Sequence, residues 1–493
     1  MTVTFGVSPY VLSPLDHTIP KIYVSFFLSF PLENTDDGLL SLKIGIVKLL
    51  HRLPYLAGDI VLHENADGHE NVQFVVDADK KINPIPMLQV KYHPELSLRE
   101  IALQKVKSGM DNLHLAKKCA PLPDFINPQE RRPILRFAAN VMQDGILLAM
   151  TINHSFFDGS GAGTILEALA ECCRAPNRDL SSPIFTLSDQ ISREDMALLS
   201  VGVDSEIDHA KSYNAAGTVP CLSSAEWSTM VESFATNLTS CRIQLSAQKL
   251  SELRDACNRI LSDMQCADWP SYVSSNDVVS ALIAICRSKC HSKQDSPGTE
   301  LTTIVNMRSR VEPPFPTHYL GNMITAVRSL VGFGLSEDKL PILNPSQAKN
   351  LGITPEDLVQ ISMTAARIRQ SVLAINNHHV RSLSGYLPQQ KDWNAINMQA
   401  SGFSISSWRD WKVYDFDFGP DLRGVSHFQM HFGLNDGLTV IMPAGTEPSA
   451  GSSTKRKKIG AEWDMQLMIQ TSDLSSLTSS QLFQWAFGDL GPN

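Results

Sequence analysis

The sequence predicts a protein of mixed strands and helices, α/β or α+β, built as two domains of similar size. Three observations lead there. The chain has 493 residues, and at roughly 100–200 residues per domain that length supplies about two to four cores. Segments with the 3.6-residue period of helices and segments with the two-residue period of strands occur in both halves, as in layered folds of both element types. Between the halves, residues 176–225 are rich in Pro, Ser, Asp and Asn with weak periodicity, which suggests a long crossover.

In chain order, Ile22 to Phe30 alternates like a strand. Leu39, Leu42, Ile46, Leu49, Leu50 and Leu53 recur at helical spacing, so 37–53 reads as an amphipathic helix that stops near Pro54. Short strands are expected around 59–62 and 72–76. Ser97 and Glu100 have capping-box spacing and open a helix that closes near Gly109. Residues 134–141 and 146–152 are strand-like runs on either side of Gln143-Asp144-Gly145, a hairpin signal. A helix follows from Gly159 to about Cys173. In the second half, helices are expected near 247–262, 276–290 and 355–376. The last has Thr354 as cap, Pro355 at its first position and Glu356-Asp357 in its first turn. Strands are expected at 301–306, 322–329, 427–432, 438–442 and 463–470, with a closing helix after Ser472.

Composition narrows the function. With 42 Lys+Arg against 51 Asp+Glu the net charge is −9, the wrong sign for a generic nucleic-acid reader, whose affinity rests on surplus basic charge. Nine scattered cysteines, an odd number, do not form a disulfide framework. No apolar run approaches the ~18 residues of a spanning helix, and Ile22 to Leu32 alternates like a strand rather than reading as a signal peptide. The chain is expected to be a cytoplasmic monomer. Cys286, Cys290 and His291 lack a second ligand pair at comparable spacing, so no metal is expected. Gly159-Ser160-Gly161-Ala162-Gly163 opens a helix after a strand, as a dinucleotide loop would. Thr164 stands where the third glycine is required, and close helix packing explains the small residues equally well.

A His and an Asp four apart arise by chance about once in a chain with 14 His. Three such pairs occur. His63/Asp67 lies among turn formers and reads as a hairpin loop, and His291/Asp295 sits in a polar linker. His154/Asp158 differs. It ends a strand of buried character and runs into Ser155-Phe156-Phe157-Asp158-Gly159, where glycines let the chain turn back toward an interior cavity. On pattern alone, a core histidine satisfied by backbone and a functional one are equally good readings.

Around this pair stands an ordered set: Leu12-Ser13-Pro14-Leu15-Asp16, Leu53-Pro54-Tyr55-Leu56-Ala57-Gly58, His154-x-x-x-Asp158-Gly159, Val273-Ser274-Ser275-Asn276-Asp277, Asn306-Met307-Arg308-Ser309-Arg310, Tyr319-Leu320-Gly321-Asn322 and Ser406-Ser407-Trp408. With these the whole chain resembles the BAHD-type, coenzyme-A-dependent acyltransferases, particularly their fungal secondary-metabolite branch. One element departs. The family's Asp-Phe-Gly-Trp-Gly is here Asp417-Phe418-Gly419-Pro420-Asp421, which puts local loop geometry and cofactor fit in question more than the chemistry.

The resemblance implies two domains of the chloramphenicol-acetyltransferase-like fold, each a mixed sheet flanked by helices, with an active-site channel between them. They would span 1–190 and 226–493, joined by a crossover at 191–225. It implies transfer of an acyl group, with acetyl-CoA as co-substrate and no permanently bound cofactor, to a hydroxyl or amine of a small secondary metabolite. His154 would be the general base, a task suited to an imidazole of ordinary pKa about 6.5, in direct attack within a ternary complex. Trp408 N–H and the Ser406 hydroxyl would face the oxyanion. Asp158 would turn from the site to an arginine, Arg308 or else Arg310. Gly159, Asp417 and Gly419 would be structural supports, and Ser407 and Lys455 contacts for coenzyme A. Three other readings stay open: transfer from a carrier-protein thioester, a repurposed scaffold that cyclises or rearranges an intermediate, and a non-catalytic metabolite-binding module.

Overall fold

The structure, a computed structural model, describes residues 10–63, 73–77, 84–175, 199, 207–215, 222–264, 269–290, 299–316, 318–332, 345–390, 392–393, 396–400, 402–431, 435–445 and 460–490. Most of the expected crossover at 191–225 lies outside them, as do Asp67, His291, Asp295 and Lys455.

Two large sheets organise the chain. The first has five strands in the order His427–His431, Tyr23–Pro31, Gly145–Asn153, Leu135–Met142 and Leu88–His93. All neighbours are antiparallel except the last two strands. The alternation seen in the sequence sends Phe26, Leu28 and Phe30 to one face, where they join Leu39, Leu42, Ile46 and Leu49 of helix Thr35–Arg52 and Ile165, Leu166 and Leu169 of helix Gly159–Arg174. Phe27 points the other way and packs with Leu98, Ile101 and Cys119. Each such side chain taken from water contributes about 1.5–3 kcal/mol.

The second sheet has seven strands, ordered Ile324–Leu330, Glu300–Asn306, Phe403–Ser407, Leu438–Ile441, Trp463–Gln470, Leu238–Leu245 and Val106–Ser108. Helices Ala247–Asp263, Ser275–Cys290 and Pro355–Ala374 build its core. Every residue from Asp277 to Arg287 is buried, the mark of a helix covered all round.

The sheets exchange strands. Residues 427–431, late in the chain, complete the first sheet, and 106–108, early in it, complete the second. This explains the principal departure from the expected elements. Ser97 does cap a helix, accepting from the Glu100 N–H at 3.4 Å, yet that helix ends at Leu103 instead of near Gly109. Residues 106–108 are drawn into pairing with 239–241, and a new helix then starts at Gly109. Strands Leu88–His93, Leu238–Leu245 and Phe403–Ser407 and helix Ser224–Thr236 also lie outside the expected set. The expected closing helix is two, Thr471–Ser479 and Gln481–Phe487. Among the described residues, no helix is long and apolar enough to cross a membrane.

The sheets meet at the N-terminus of helix Gly159–Arg174. A Cβ on Gly161 would stand 2.1 Å from the Leu320 carbonyl oxygen, whereas one on Gly163 would make ordinary contact with Trp411 at 3.5 Å. Gly161→Ala is therefore expected to cost about 1–3 kcal/mol through overpacking against main chain. Gly163→Ala should be neutral or stabilising by up to ~1 kcal/mol, since alanine is the better helix former. Thermal unfolding of the two variants checks this; equal midpoints would refute the close approach.

Candidate active site

His154 follows the last residue of the central strand Gly145–Asn153 and is half-buried. Its main chain is held on two sides: its N–H donates to the Ile22 carbonyl at 3.0 Å, and its carbonyl accepts from Asn322 Nδ2 at 3.1 Å. The ring is oriented by the carbonyl of Phe157, 2.9 Å from Nδ1. A carbonyl can only accept, so Nδ1 carries the hydrogen and Nε2 is left as the basic nitrogen. Burial lowers the imidazole pKa below its ordinary 6.5, opposed in part by the Phe157 bond. The ring is thus neutral at neutral pH.

Asp158 does not orient the imidazole. It is fully buried and caps helix Gly159–Arg174, accepting from the Gly161 N–H at 2.9 Å. Arg308 grips both its oxygens, at 2.7 and 2.9 Å, and the Met323 N–H adds a fourth bond at 2.9 Å. Arg308 also donates to the carbonyls of Tyr319 and Gly321, at 2.9 and 2.7 Å. Arg310 points elsewhere, to the carbonyls of Val372 and Ile375.

Two residues whose motifs were legible, but whose roles were not, complete the frame. Asp16 accepts from the Ser13 N–H and hydroxyl at 2.8 and 2.7 Å. Its other oxygen accepts from the Asn322 N–H and Nδ2 at 2.8 and 2.9 Å. Asn322, fully buried, therefore ties residue 16 to the carbonyl of His154. A partner 306 positions away leaves no local signal in a sequence.

On the other side lie the tryptophans. Trp408 stacks on Trp411, with centroids 4.8 Å apart and planes 7° from parallel, and meets the edge of Phe26 at 5.5 Å. The Trp408 indole nitrogen lies 3.2 Å from where a Cβ on Gly159 would be. The missing side chain thus admits an N–H donor beside the helix that Asp158 caps. Ser406 is half-buried and Ser407 exposed, both on strand Phe403–Ser407.

The departing loop is remote. Asp417 accepts from the Gly419 N–H at 2.9 Å, Phe418 is buried edge-on against Phe30, and Gly419 has φ +92° with Arg174 Cα 3.0 Å from its would-be Cβ. This anchors the loop at the far end of a 16-residue helix, about 24 Å from Asp158 at 1.5 Å per residue. Pro420 and Asp421, which replace the family's Trp-Gly, are exposed at its tip.

A cavity of about 580 Å³ beside Phe125 and Trp227 touches none of these residues. Among the described residues, no group of three or more His, Cys, Asp or Glu could hold a metal ion. Cys290 spends its thiol on the Cys286 carbonyl, at 3.2 Å.

Comparison with known proteins places this arrangement. Residues 98–335 match the model of the transferase family, and residues 22–173 that of trichothecene 3-O-acetyltransferase-like N-terminal domains. Fumigaclavine B O-acetyltransferase of Aspergillus fumigatus is 37% identical over 98% of this chain and 98% of its own. The O-acetyltransferase pyr7 of the same fungus is 32% identical over 98% of this chain and 93% of its own. TRI101 of F. sporotrichioides, crystallised with coenzyme A and T-2, shares the fold at a TM-score of 0.71 and 17% identity, over 98% of this chain and 100% of that one. With likeness running through nearly the whole of both chains, the protein belongs to the BAHD-type transferase family, among its fungal O-acetyltransferases.

Proposed function

We propose that this protein transfers an acetyl group from acetyl-CoA to the hydroxyl of a small fungal secondary metabolite, with His154 as general base. The observation that carries the reading is the hydrogen bond from His154 Nδ1 to the Phe157 carbonyl, which in the neutral ring makes Nε2 the basic nitrogen. As the acceptor oxygen attacks the thioester carbonyl, its proton passes to Nε2. The tetrahedral intermediate then expels the coenzyme-A thiolate, which takes the proton back. A thiolate leaves readily, so the enzyme needs no covalent nucleophile. Trp408 N–H, with Ser406 beside it on the sheet, is the donor for the oxyanion. Ser407 and Lys455 are assigned to coenzyme A, and Gly159, Asp417 and Gly419 to structural support. The acyltransferase domains are taken as 1–190 and 226–493 with the crossover between them, in a cytoplasmic monomer.

Acetyl-CoA with an acceptor of the kind named for the relatives, fumigaclavine B first, should give acceptor-dependent release of free coenzyme A. His154→Ala should lower turnover ~10²–10⁴-fold. Because the base acts unprotonated and its pKa is lowered, kcat/KM should be flat above neutral pH and fall only as pH drops through a value below 6.5. A limb centred above 6.5, or unchanged turnover in the variant, would count against His154.

Asp158→Asn should act through folding. It leaves Arg308 buried beside a neutral amide, and breaking one side of such a pair costs about 3–5 kcal/mol. Soluble yield and thermal midpoint should fall further than for His154→Ala, which loses one hydrogen bond worth about 1 kcal/mol. Equal folding with a selective rate loss would point instead to a triad role for Asp158.

Trp408→Phe separates the two uses of the indole. It keeps an aromatic ring against Phe26 and Trp411 and removes the N–H. An oxyanion donor lost in this way costs ~10²–10³ in kcat. A fall in thermal midpoint with kcat unchanged would assign the residue to packing alone.

A further inference from the structure

Where the two sheets exchange strands, a second polar site lies in the seam. A cavity of about 40 Å³ opens between strand His427–His431 of the first sheet and strands Val106–Ser108, Leu238–Leu245 and Trp463–Gln470 of the second. The volume exceeds the roughly 10–15 Å³ that seats one water. Its walls carry Lys105, Lys107, Asn112, Arg242, His427 and Gln429. Lys105 is exposed at the rim, and the others are half-buried.

The walls are rich in donors. Asn112 Nδ2 and Gln429 Nε2 are buried and have no hydrogen-bond partner among the described residues. Each buried donor left unpaired costs about 1–3 kcal/mol, so two of them lining one small cavity leave it short of acceptors. Lys107 reaches the Ile101 carbonyl only at 3.4 Å. Arg242 is paired with Asp464 and donates to His427 Nε2 at 2.6 Å, which requires a neutral imidazole.

The charges agree. Three cations line the cavity, and the ion pair with Asp464 neutralises one of them. Burial, then Arg242 and Lys107, push the His427 pKa down to about 3. Burial, then Arg242, lower Lys107 to about 8, with Asp111 opposing. Both groups thus stand in a field of positive potential that an anion would relieve.

We propose that this seam cavity is a binding site for a small oxyanion, of the phosphate or carboxylate class, held by Lys107, Arg242 and the amides of Asn112 and Gln429. The site is separate from the His154 centre and joins the two sheets across the exchanged strands. Its occupant would act on how the halves are held together and not on the transfer step.

The test is thermal unfolding of the full chain without coenzyme A, in inorganic phosphate or in acetate, at an ionic strength held constant with chloride. A saturable rise in midpoint with phosphate supports the phosphate class, and one with acetate alone supports the carboxylate class. Lys107→Met and Gln429→Met should each weaken the oxyanion's apparent affinity at least tenfold. The second removes an amide without touching a charge, so it serves if the first disturbs folding. No rise beyond the chloride control would overturn the proposal. So would full affinity retained in both variants, since the oxyanion would then be binding elsewhere.

Discussion

The buried pair of Asp158 and Arg308 is the constraint on which the rest of the centre depends. Both side chains are almost wholly removed from water, where an uncompensated charge costs several kcal/mol. That cost is met only in one arrangement. Asp158 needs its four donors, Gly161 N–H, Met323 N–H and two from Arg308. Arg308 needs the carbonyls of Tyr319 and Gly321 as well. Such a pair adds little net stability over apolar packing, because desolvation offsets the attraction. Its effect is geometric: helix Gly159–Arg174 and the segment 306–323 are held in the register that satisfies both Asp158 oxygens and both terminal nitrogens of Arg308.

The geometry around His154 follows from that register. With the 319–323 loop pulled onto Asp158, Asn322 lies where it can reach both Asp16 and the His154 carbonyl. Asp158, saturated by its own partners, has no oxygen left for the imidazole, and the Phe157 carbonyl takes that place. A carbonyl sets the tautomer without adding a negative charge beside the ring. Burial then dominates and lowers the pKa, which suits the role proposed for His154, a base that works unprotonated. On the opposite flank, the bare Gly159 and Gly163 leave room for the stacked Trp408 and Trp411. The glycine-rich stretch serves packing there.

Exchange of strands between the sheets gives the two halves a common core boundary. Strand His427–His431 is bonded along Tyr23–Pro31, while its own His427 meets Arg242 of the other sheet. Neither half of the sequence can complete its sheet alone. The departing Pro420-Asp421 lies outside this bond network, between residues that bond to each other. Phe418 and Arg423 bond to each other across the loop, and Arg423 N–H reaches the Gly419 carbonyl at 2.7 Å. The two substituted residues face solvent.

What the sequence determined by itself are the elements whose signals are local. Helix Thr35–Arg52 was legible because Leu39, Leu42, Ile46 and Leu49 share one face. Helix Pro355–Ala374 was legible because Thr354 accepts from the Asp357 N–H. His154 and its neighbours were legible as an ordered set of motifs, each a few residues long. Tertiary structure decided what depends on partners far along the chain. The helix begun at Ser97 was cut short by pairing between 106–108 and 239–241, a competitor with no trace within the helix itself. The aim of Asp158, the choice of Arg308 over Arg310 and the lash from Asp16 through Asn322 to His154 all rest on contacts spanning 150 to 306 positions. Periodicity and capping act over one or two turns. Burial of charge is settled only when the whole chain has closed around it.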